Sequence, residues 1–326
     1  MYFPYPGTCR ICFRMVRRPP MRNIVYKESD VGLTIDRIVR NYDFDMPHKH
    51  VHEEYEIYYL VDGERYYFIE NQIYHVKKGT LVFIDRNQIH KTGQYGDSHH
   101  ERIAIELKEE PFSSFLASTG ELVLSDFFRR NQGVLELCPK NQEYVFSLLN
   151  GIAAEIHTKD PGYRMMAMTK LARLLFFAQR FWDNNRLNAG TTSISTTATH
   201  QKVSEVASYI TDHYDEACSL DDVARHFYIS KSYLSRIFKE ITGYTVNEYI
   251  NVNRILQAQK LLIESDMNIT EIAACLGYES ITYFEKIFRK YTETSPLKYR
   301  KRFLKETERP KSYAGERLSP DELSHS

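Results

Sequence analysis

The sequence has no excess of charge of either sign: 43 Lys and Arg stand against 43 Asp and Glu in 326 residues. A nucleic-acid binder usually shows a basic total, and this chain does not. The placement of charge therefore has to decide that question. Long apolar runs are missing too. No stretch of about 18 uncharged apolar residues occurs, so no membrane-spanning helix is expected. Cysteine is scarce. Cys9, Cys12, Cys138, Cys218 and Cys275 are odd in number and widely scattered. They fit reduced thiols in a cytoplasmic protein better than a disulfide framework. Cys9 and Cys12 make a C-x-x-C with no second pair, too few ligands for a zinc site. What the chain does have is 42% hydrophobic and 13% aromatic residues, enough for real cores, which excludes a disordered or fibrous polymer. Its length suggests about two domains.

The first 22 residues hold Arg10, Arg14, Arg17, Arg18 and Arg22, no acid, and Pro19-Pro20. No apolar core long enough for a signal peptide is present. Residues 1–23 read as a disordered basic arm, or as the product of a start assigned too early, with Met21 the candidate start.

Three zones follow. From 24 to 110, short aromatic and β-branched runs (56–60, 65–69, 73–76, 80–84) alternate with turn signals at Asp62-Gly63 and Lys78-Gly79. Short strands at this spacing predict a sandwich or barrel. From 111 to 182 the period becomes helical. Val145, Leu148, Leu149, Ile152 and Ile156, then Met168, Leu171, Leu174, Leu175, Ala178 and Phe181, recur at three and four residues. They predict two amphipathic helices, joined through Pro161-Gly162 as an antiparallel hairpin. Residues 183–200, rich in Asn, Ser and Thr, read as a flexible linker. Residues 201–305 are helical in pattern, and 306–326 read as a disordered tail.

The helical zone repeats itself. Leu220, Val223 and Ala224 match Ile269, Ile272 and Ala273 at an offset of 49. One inserted residue later, Leu234, Arg236, Ile237, Phe238 and Lys239 match Phe284, Lys286, Ile287, Phe288 and Arg289 at an offset of 50. Each copy reads as helix, tight turn, helix. Ala273 lies four residues before Gly277, so two helices can approach closely and the turn can go left-handed. Tyr228 takes that glycine's place in the first copy, which makes its turn harder to read. Ser230 and Ser280 are placed to cap the following helices. One long helical pattern over 246–264 joins the copies. Two recognition helices entering one face of DNA need about 34 Å between them.

This tandem resembles the AraC/XylS family of transcription regulators. The resemblance rests on SLDDVARHFYISKSYLSRIFKEITGYTVNEYI and NITEIAACLGYESITYFEKIFRKYTETSPLKYRK, about 100 residues. Glu293 departs from it, standing where Gly243 stands in the first copy. The resemblance implies that the first recognition helix presents Ser232, Ser235 and Arg236 to base edges, and the second Ile281, Thr282, Glu285 and Lys286. Arg236 would suit a bidentate contact with guanine, Glu285 would accept from cytosine, and Ile281 would meet a thymine methyl. Lys231, Lys239, Arg289, Lys290 and Arg300 are expected on phosphates. Charge placement agrees. Residues 201–305 carry 15 basic and 14 acidic residues, but 286–305 carry eight basic residues against the one acid Glu293.

The strand zone carries His50-x-His52-x3-Glu56-x6-Gly63, and Gly79 precedes His90 by eleven residues. This resembles the cupin barrel, whose motifs supply His50, His52, Glu56 and His90 as metal ligands. The set suits Fe, Mn, Zn or Ni. Asp85 and Asn87 depart from the usual second motif, and many AraC-type sensor barrels hold no metal, so the same residues serve equally as an effector pocket with Tyr58 and Tyr67. Along a regular strand His48, His50, His52 and Glu54 share one face, and Glu56 joins them only if the strand stays regular. By the same alternation Tyr58 and Tyr59 point to opposite faces, so only one of them should be inside.

The expectation is an α+β chain. An N-terminal cupin-like β-barrel comes first, with a helical dimerisation hairpin offering Leu148, Ile152, Leu171 and Leu175 as contacts; packing against the barrel accounts for these residues equally well. An all-α DNA-binding domain of two helix-turn-helix units follows. The function expected is a cytoplasmic, homodimeric regulator that is not an enzyme. It would bind double-stranded DNA and a small-molecule effector, sugar metabolism being the family's hint, and activate through RNA polymerase. It needs no cofactor unless a divalent metal fills the barrel. The alternative is a metal-dependent cupin enzyme, a dioxygenase or isomerase, fused to a DNA-binding domain. A phosphorylated receiver does not fit, because the N-terminal half lacks alternating β and α segments.

Overall fold

The computed structural model describes residues 22–30, 32–44, 52–117, 120, 122–186, 197–216 and 219–307. His48 and His50, the N-terminal arm up to Met21, most of the expected linker and the tail beyond Thr307 lie outside them. The chain divides into two units, at Thr197 and Ala198.

Among its described residues the first unit holds eight antiparallel strands: β1 (Arg22–Asp30), β2 (Leu33–Asn41), β3 (Tyr55–Ile69), β4 (Gln72–Lys77), β5 (Thr80–Ile84), β6 (His90–Gln94), β7 (His99–Leu107) and β8 (Gly133–Glu136). Strand β1 begins at Arg22, inside the expected arm, and β8 comes from the segment read as helical. The main path runs β1-β2-β7-β3-β5-β8, with β4 and β6 also on β3. Asp62-Gly63 is not a turn. The runs 56–60 and 65–69 form one strand whose register shifts between Leu60 and Asp62. The first half of β3 pairs with β5 and β7, and the second half with β4 and β6. A bulge of this kind bends a strand round a corner. One long strand thereby serves two sheets that enclose a shared interior.

Alternation along the strands sorts their side chains. Tyr58, Leu60, Tyr67, Ile69, Val76, Val82 and Ile84 cluster inside. Tyr55, Ile57, Tyr59, Leu81, Phe83, Ile103 and Ile105 point the other way and are equally buried. Both Tyr58 and Tyr59 are therefore out of water, against expectation. Period 2 does place them on opposite faces, but the outer face is roofed by helices.

The roof is α1 (Phe112–Ala117), α2 (Leu124–Arg130), α3 (Pro139–Thr158) and α4 (Tyr163–Arg186). The α3–α4 hairpin forms as the spacing predicts, tied by Lys170 to Glu155 at 2.7 Å. Leu148, Ile152, Leu171 and Leu175 are buried against the sheet in one core with Tyr59 and Phe83. That corrects their assignment to a dimer interface. Each such burial stabilises the unit by about 1.5–3 kcal/mol, and the same surface is not available to a second chain.

The second unit is all helical: α5 (Ala198–Asp212), α6 (Leu220–His226), α7 (Lys231–Thr242), α8 (Val246–Glu264), α9 (Ile269–Cys275), α10 (Ile281–Thr292) and α11 (Pro296–Thr307). Helices α6 and α9 are seven residues each, and α7 and α10 are twelve. The repeat is thus exact in length, and the inserted residue lies in the second turn.

Candidate DNA-binding helices and barrel interior

Both turns have one architecture. The amide of Ile229 donates to the carbonyl of Ala224, and that of Tyr278 to Ala273, each at 3.0 Å. Tyr228 (φ 54) and Gly277 (φ 73) both sit in the left-handed region. Sequence left Tyr228 open because a tyrosine pays for that conformation. The structure shows why it is tolerated: Tyr228 is 96% exposed, so its side chain stands in water. At Gly277 a β-carbon would lie 2.3 Å from the Asp215 carbonyl oxygen, so only glycine fits.

Ser230 and Ser280 cap α7 and α10 as expected, accepting from the amides of Tyr233 and Tyr283. Gly243 (φ 80) and Glu293 (φ 57) close the same helices in left-handed caps, donating to Lys239 and Arg289 at 2.9 Å. Glu293 therefore adopts the geometry of the glycine it replaces. Leu234, Ile237, Phe238 and Ile241 bury one face of α7, and Phe284 and Phe288 one face of α10. Helix α8 holds the copies apart. Its 19 residues span about 28 Å at 1.5 Å per residue.

The residues expected to meet DNA lie mostly on the opposite, exposed faces. Ser232, Arg236, Ile281, Thr282, Glu285 and Lys286 are exposed and Ser235 is half-buried. Lys231, Lys239, Arg289 and Lys290 are exposed as well. In the first copy two cations meet acids: Lys231 pairs with Asp221, and Arg236 lies 3.9 Å from Glu240. Arg300 is placed differently from expectation. Its Nε donates to the Leu262 carbonyl at 3.0 Å and its Nη2 to Met267 at 2.7 Å. The guanidinium ties α11 to the end of α8 and leaves the phosphate set for a structural one. Arg254 does similar work, donating to the carbonyls of Tyr214 at 2.6 Å and Glu216 at 2.8 Å. Sequence reading missed two exposed aromatics, Tyr233 and Tyr283. Both stand in the third position of their helices, and the offset of 50 would have paired them.

In the barrel three of the four expected ligands come together; His50 lies outside the described residues. Side-chain donor atoms of His52, Glu56 and His90 lie within 4.8 Å of one another. The Nε2 atoms of His52 and His90 are 3.3 and 3.4 Å from Glu56 Oε2. Their Nδ1 atoms meet backbone carbonyls, Glu54 at 2.8 Å and Gln88 at 2.9 Å. The carbonyls accept from Nδ1 and aim each Nε2 at the carboxylate, the orientation that metal-ligating histidines adopt. The donor set therefore fits a divalent ion. Tyr67 donates to the other oxygen, Glu56 Oε1, at 3.0 Å. Burial alone would raise the Glu56 carboxyl, but hydrogen bonds and charge from His52 and His90 outweigh it and hold the group well below the usual range. For Tyr67 burial and the Glu56 charge act together and push the phenol well up. Glu56 is thus an ionised acceptor in a buried site.

A capped pair of helix-turn-helix units in one chain with a polar-lined barrel defines a class: a DNA-binding regulator with a sensor domain. Sequence profiles agree. An AraC-like ligand binding domain matches residues 34–175 and a helix-turn-helix domain residues 223–302. The chain belongs to the AraC family of transcription regulators. The melibiose operon regulatory protein of Escherichia coli K12 is 24% identical over 260 residues, covering 78% of this chain and 84% of that protein. The transcriptional activator RhaR of Mannheimia succiniciproducens is 25% identical over 274 residues, covering 84% and 93%. Among solved structures, the DNA-binding domain of AdpA in complex with a target DNA is 29% identical and covers 33% of this chain and 96% of its own, with a TM-score of 0.32. No described helix is long and apolar enough to cross a membrane.

Proposed function

We propose that this regulator senses a small molecule inside its barrel and in response activates transcription from DNA bound by α7 and α10. The observation that carries the reading is the character of the interior. A barrel that only needed filling would use aliphatic side chains. This one buries Glu56, His90, Tyr58 and Tyr67, and buried polar groups are costly unless they have work to do. The relatives' names attach to melibiose and to RhaR, which supports a sugar-like effector. Base contacts are assigned to Ser232, Ser235, Arg236, Ile281, Thr282, Glu285 and Lys286, and phosphate contacts to Lys231, Lys239, Arg289 and Lys290. The chain acts as a homodimer in the cytoplasm and engages RNA polymerase. Its dimer contact uses the outward side of the α3–α4 hairpin, where Tyr144 of α3 and Phe176, Phe177 and Phe181 of α4 line a recess of about 460 Å³. The test is footprinting of bound genomic sites, followed by transcription from the nearest promoter with and without the sugars that the neighbouring genes process. Induction that persists unchanged in Glu56→Gln and Tyr67→Phe refutes the sensor role.

A second reading is favoured by the convergence of His52, Glu56 and His90. A bound divalent ion would act there as a Lewis acid, and a metal-dependent dioxygenase or isomerase would be its extreme form. Metal analysis of tag-free protein decides: less than about a tenth of an equivalent retires it.

A further inference from the structure

A second polar cluster lies in the same interior, beside the Glu56 group. The β2–β7 register sets Arg40 opposite His100 and Ile38 opposite Arg102, and the β3–β7 register sets Arg102 opposite Leu60 and His100 opposite Gly63. Leu60 faces inward, so the residues in line with it do too. Glu106, opposite Glu56, is six positions further along β7 than His100. Arg65 and Tyr67, the hydrogen-bond partner of Glu56, nevertheless stand two residues apart on β3, about 7 Å, so the two groups of side chains adjoin. The cluster centres on Phe44. Its ring lies 4.0 Å from the Arg40 guanidinium carbon, 5.8 Å from that of Arg65 and 6.1 Å from the His100 ring. Arg65 donates to the Phe44 carbonyl at 2.5 Å and to Thr92 Oγ1 at 3.4 Å. Asp36 is engaged by Arg102 in a two-pronged pair.

Arg40 is the informative member. It is 6% exposed. It meets the ring of Phe44, the Nε2 of His100 at 3.4 Å and the Tyr42 side chain. Among the described residues its Nε meets no acceptor and no carboxylate pairs with it. A buried guanidinium without a counter-charge is strongly unfavourable. Around His100 the arginines dominate: burial, then the charge of Arg65, and further Arg40 and Arg102, push it down to about 3.

We propose that the Arg40–Arg65 end of the barrel binds the anionic group of a hydroxylated effector, a carboxylate or a phosphate ester. The Glu56–Tyr67 end receives its hydroxyls. The inference rests on the effector-binding reading above and names the ligand's chemical class. Guanidinium forks are built for planar and tetrahedral oxyanions, and the positive cluster gives a neutral sugar no advantage.

The test is thermal unfolding of the full chain at fixed ionic strength with glucose, glucuronate, glucose 6-phosphate and inorganic phosphate. At least one anion should raise the unfolding temperature saturably, and glucose should not. Glucuronate against the two phosphates tells which oxyanion fits. Arg40→Gln should weaken the response about tenfold or more. Arg37→Gln should keep it, because Arg37 points to Glu101 and Phe146 on the other face of the sheet. Glucose protecting as well as the anions removes the anionic claim and leaves the pocket standing. No protection by any of the four removes both. An unchanged response in Arg40→Gln removes the site from this cluster, and general salting effects are excluded because they act on that variant equally.

Discussion

The two turns of the repeat make a reciprocal stability experiment. A side chain in the left-handed region costs about 1–2 kcal/mol, and glycine returns about 0.5–1 kcal/mol of that as chain entropy. Tyr228 is 96% exposed at φ 54, so Tyr228→Gly loses no burial and should stabilise the helical unit by about 0.5–1 kcal/mol. For a unit of about 100 residues that raises its midpoint by about 2–8 °C. Gly277→Ala should do the reverse, and more strongly. Its new β-carbon would sit 2.3 Å from the Asp215 carbonyl and 2.9 Å from Arg254 Nη2. Relief requires moving Arg254, which holds the Tyr214 and Glu216 carbonyls. Two hydrogen bonds from a charged donor are worth about 3 kcal/mol or more together, so the midpoint should fall by about 12 °C or more. Scanning calorimetry of the full chain reads both. Destabilisation by Tyr228→Gly, or a neutral Gly277→Ala, would refute the account of the turns.

The remaining expectations concern DNA and pH. Arg236→Ala should cost about 1–3 kcal/mol at a specific operator and relax one base position; equal loss on every sequence, measured by quantitative gel shift, sinks the base-contact role. Arg289→Ala should lower the slope of log affinity against log salt by about 0.9, whereas Arg300→Ala should leave the slope and lower the melting temperature, because its guanidinium holds carbonyls. A slope change from Arg300→Ala would restore it to the phosphate set. His100 is neutral when folded, with its pKa down to about 3 from an ordinary 6.5. The unfolded chain therefore binds the extra proton between those values, and stability falls as pH drops through that window. His100→Gln should flatten that part of the acid-unfolding curve, and an unchanged curve would contradict the buried, cationic setting made by Arg40, Arg65 and Arg102.

The helical unit was largely legible, because its signals are local. Capping serines, apolar spacing and a repeat each act within one or two turns of chain, and Ser230, Ser280 and α8 stand where the pattern puts them. The barrel was legible in kind but not in connectivity. Asp62-Gly63 has turn chemistry, and only the partners on either side show that β3 continues through it as a bulge. Tyr59 could not be placed either, since what covers the outer face is set by helices some 80 residues later, which Tyr59 reaches at the Gln142 carbonyl. The arginine cluster was invisible for the same reason. Arg40, Arg65 and Arg102 are spread over three strands, and nothing local distinguishes them from arginines on a solvated face.

Charge shows the limit most clearly. The sequence concentrates basic charge in 286–305, and the structure divides the arginines and lysines of the helical unit further. Arg254 and Arg300 are spent on backbone carbonyls inside the unit. Lys231 and Arg236 lean on Asp221 and Glu240. Lys286, Arg289 and Lys290 on α10 are exposed, and no acid pairs with them among the described residues. Exposed pairs are weak, about 0–1 kcal/mol, so a phosphate can draw Lys231 and Arg236 away from their acids. It must still work against the negative charge of Asp221 and Glu240, which stays beside it. On α10 the exposed acid Glu285 stands beside Lys286 but makes no ion pair with these cations, so a phosphate has no pair to displace there. We therefore expect the electrostatic share of DNA affinity to rest more on α10, and sequence discrimination more on α7, where Arg236 has only a weak partner. Ala substitutions of Lys286, Arg289 and Lys290 should weaken binding on every sequence, and Arg236→Ala should change sequence preference.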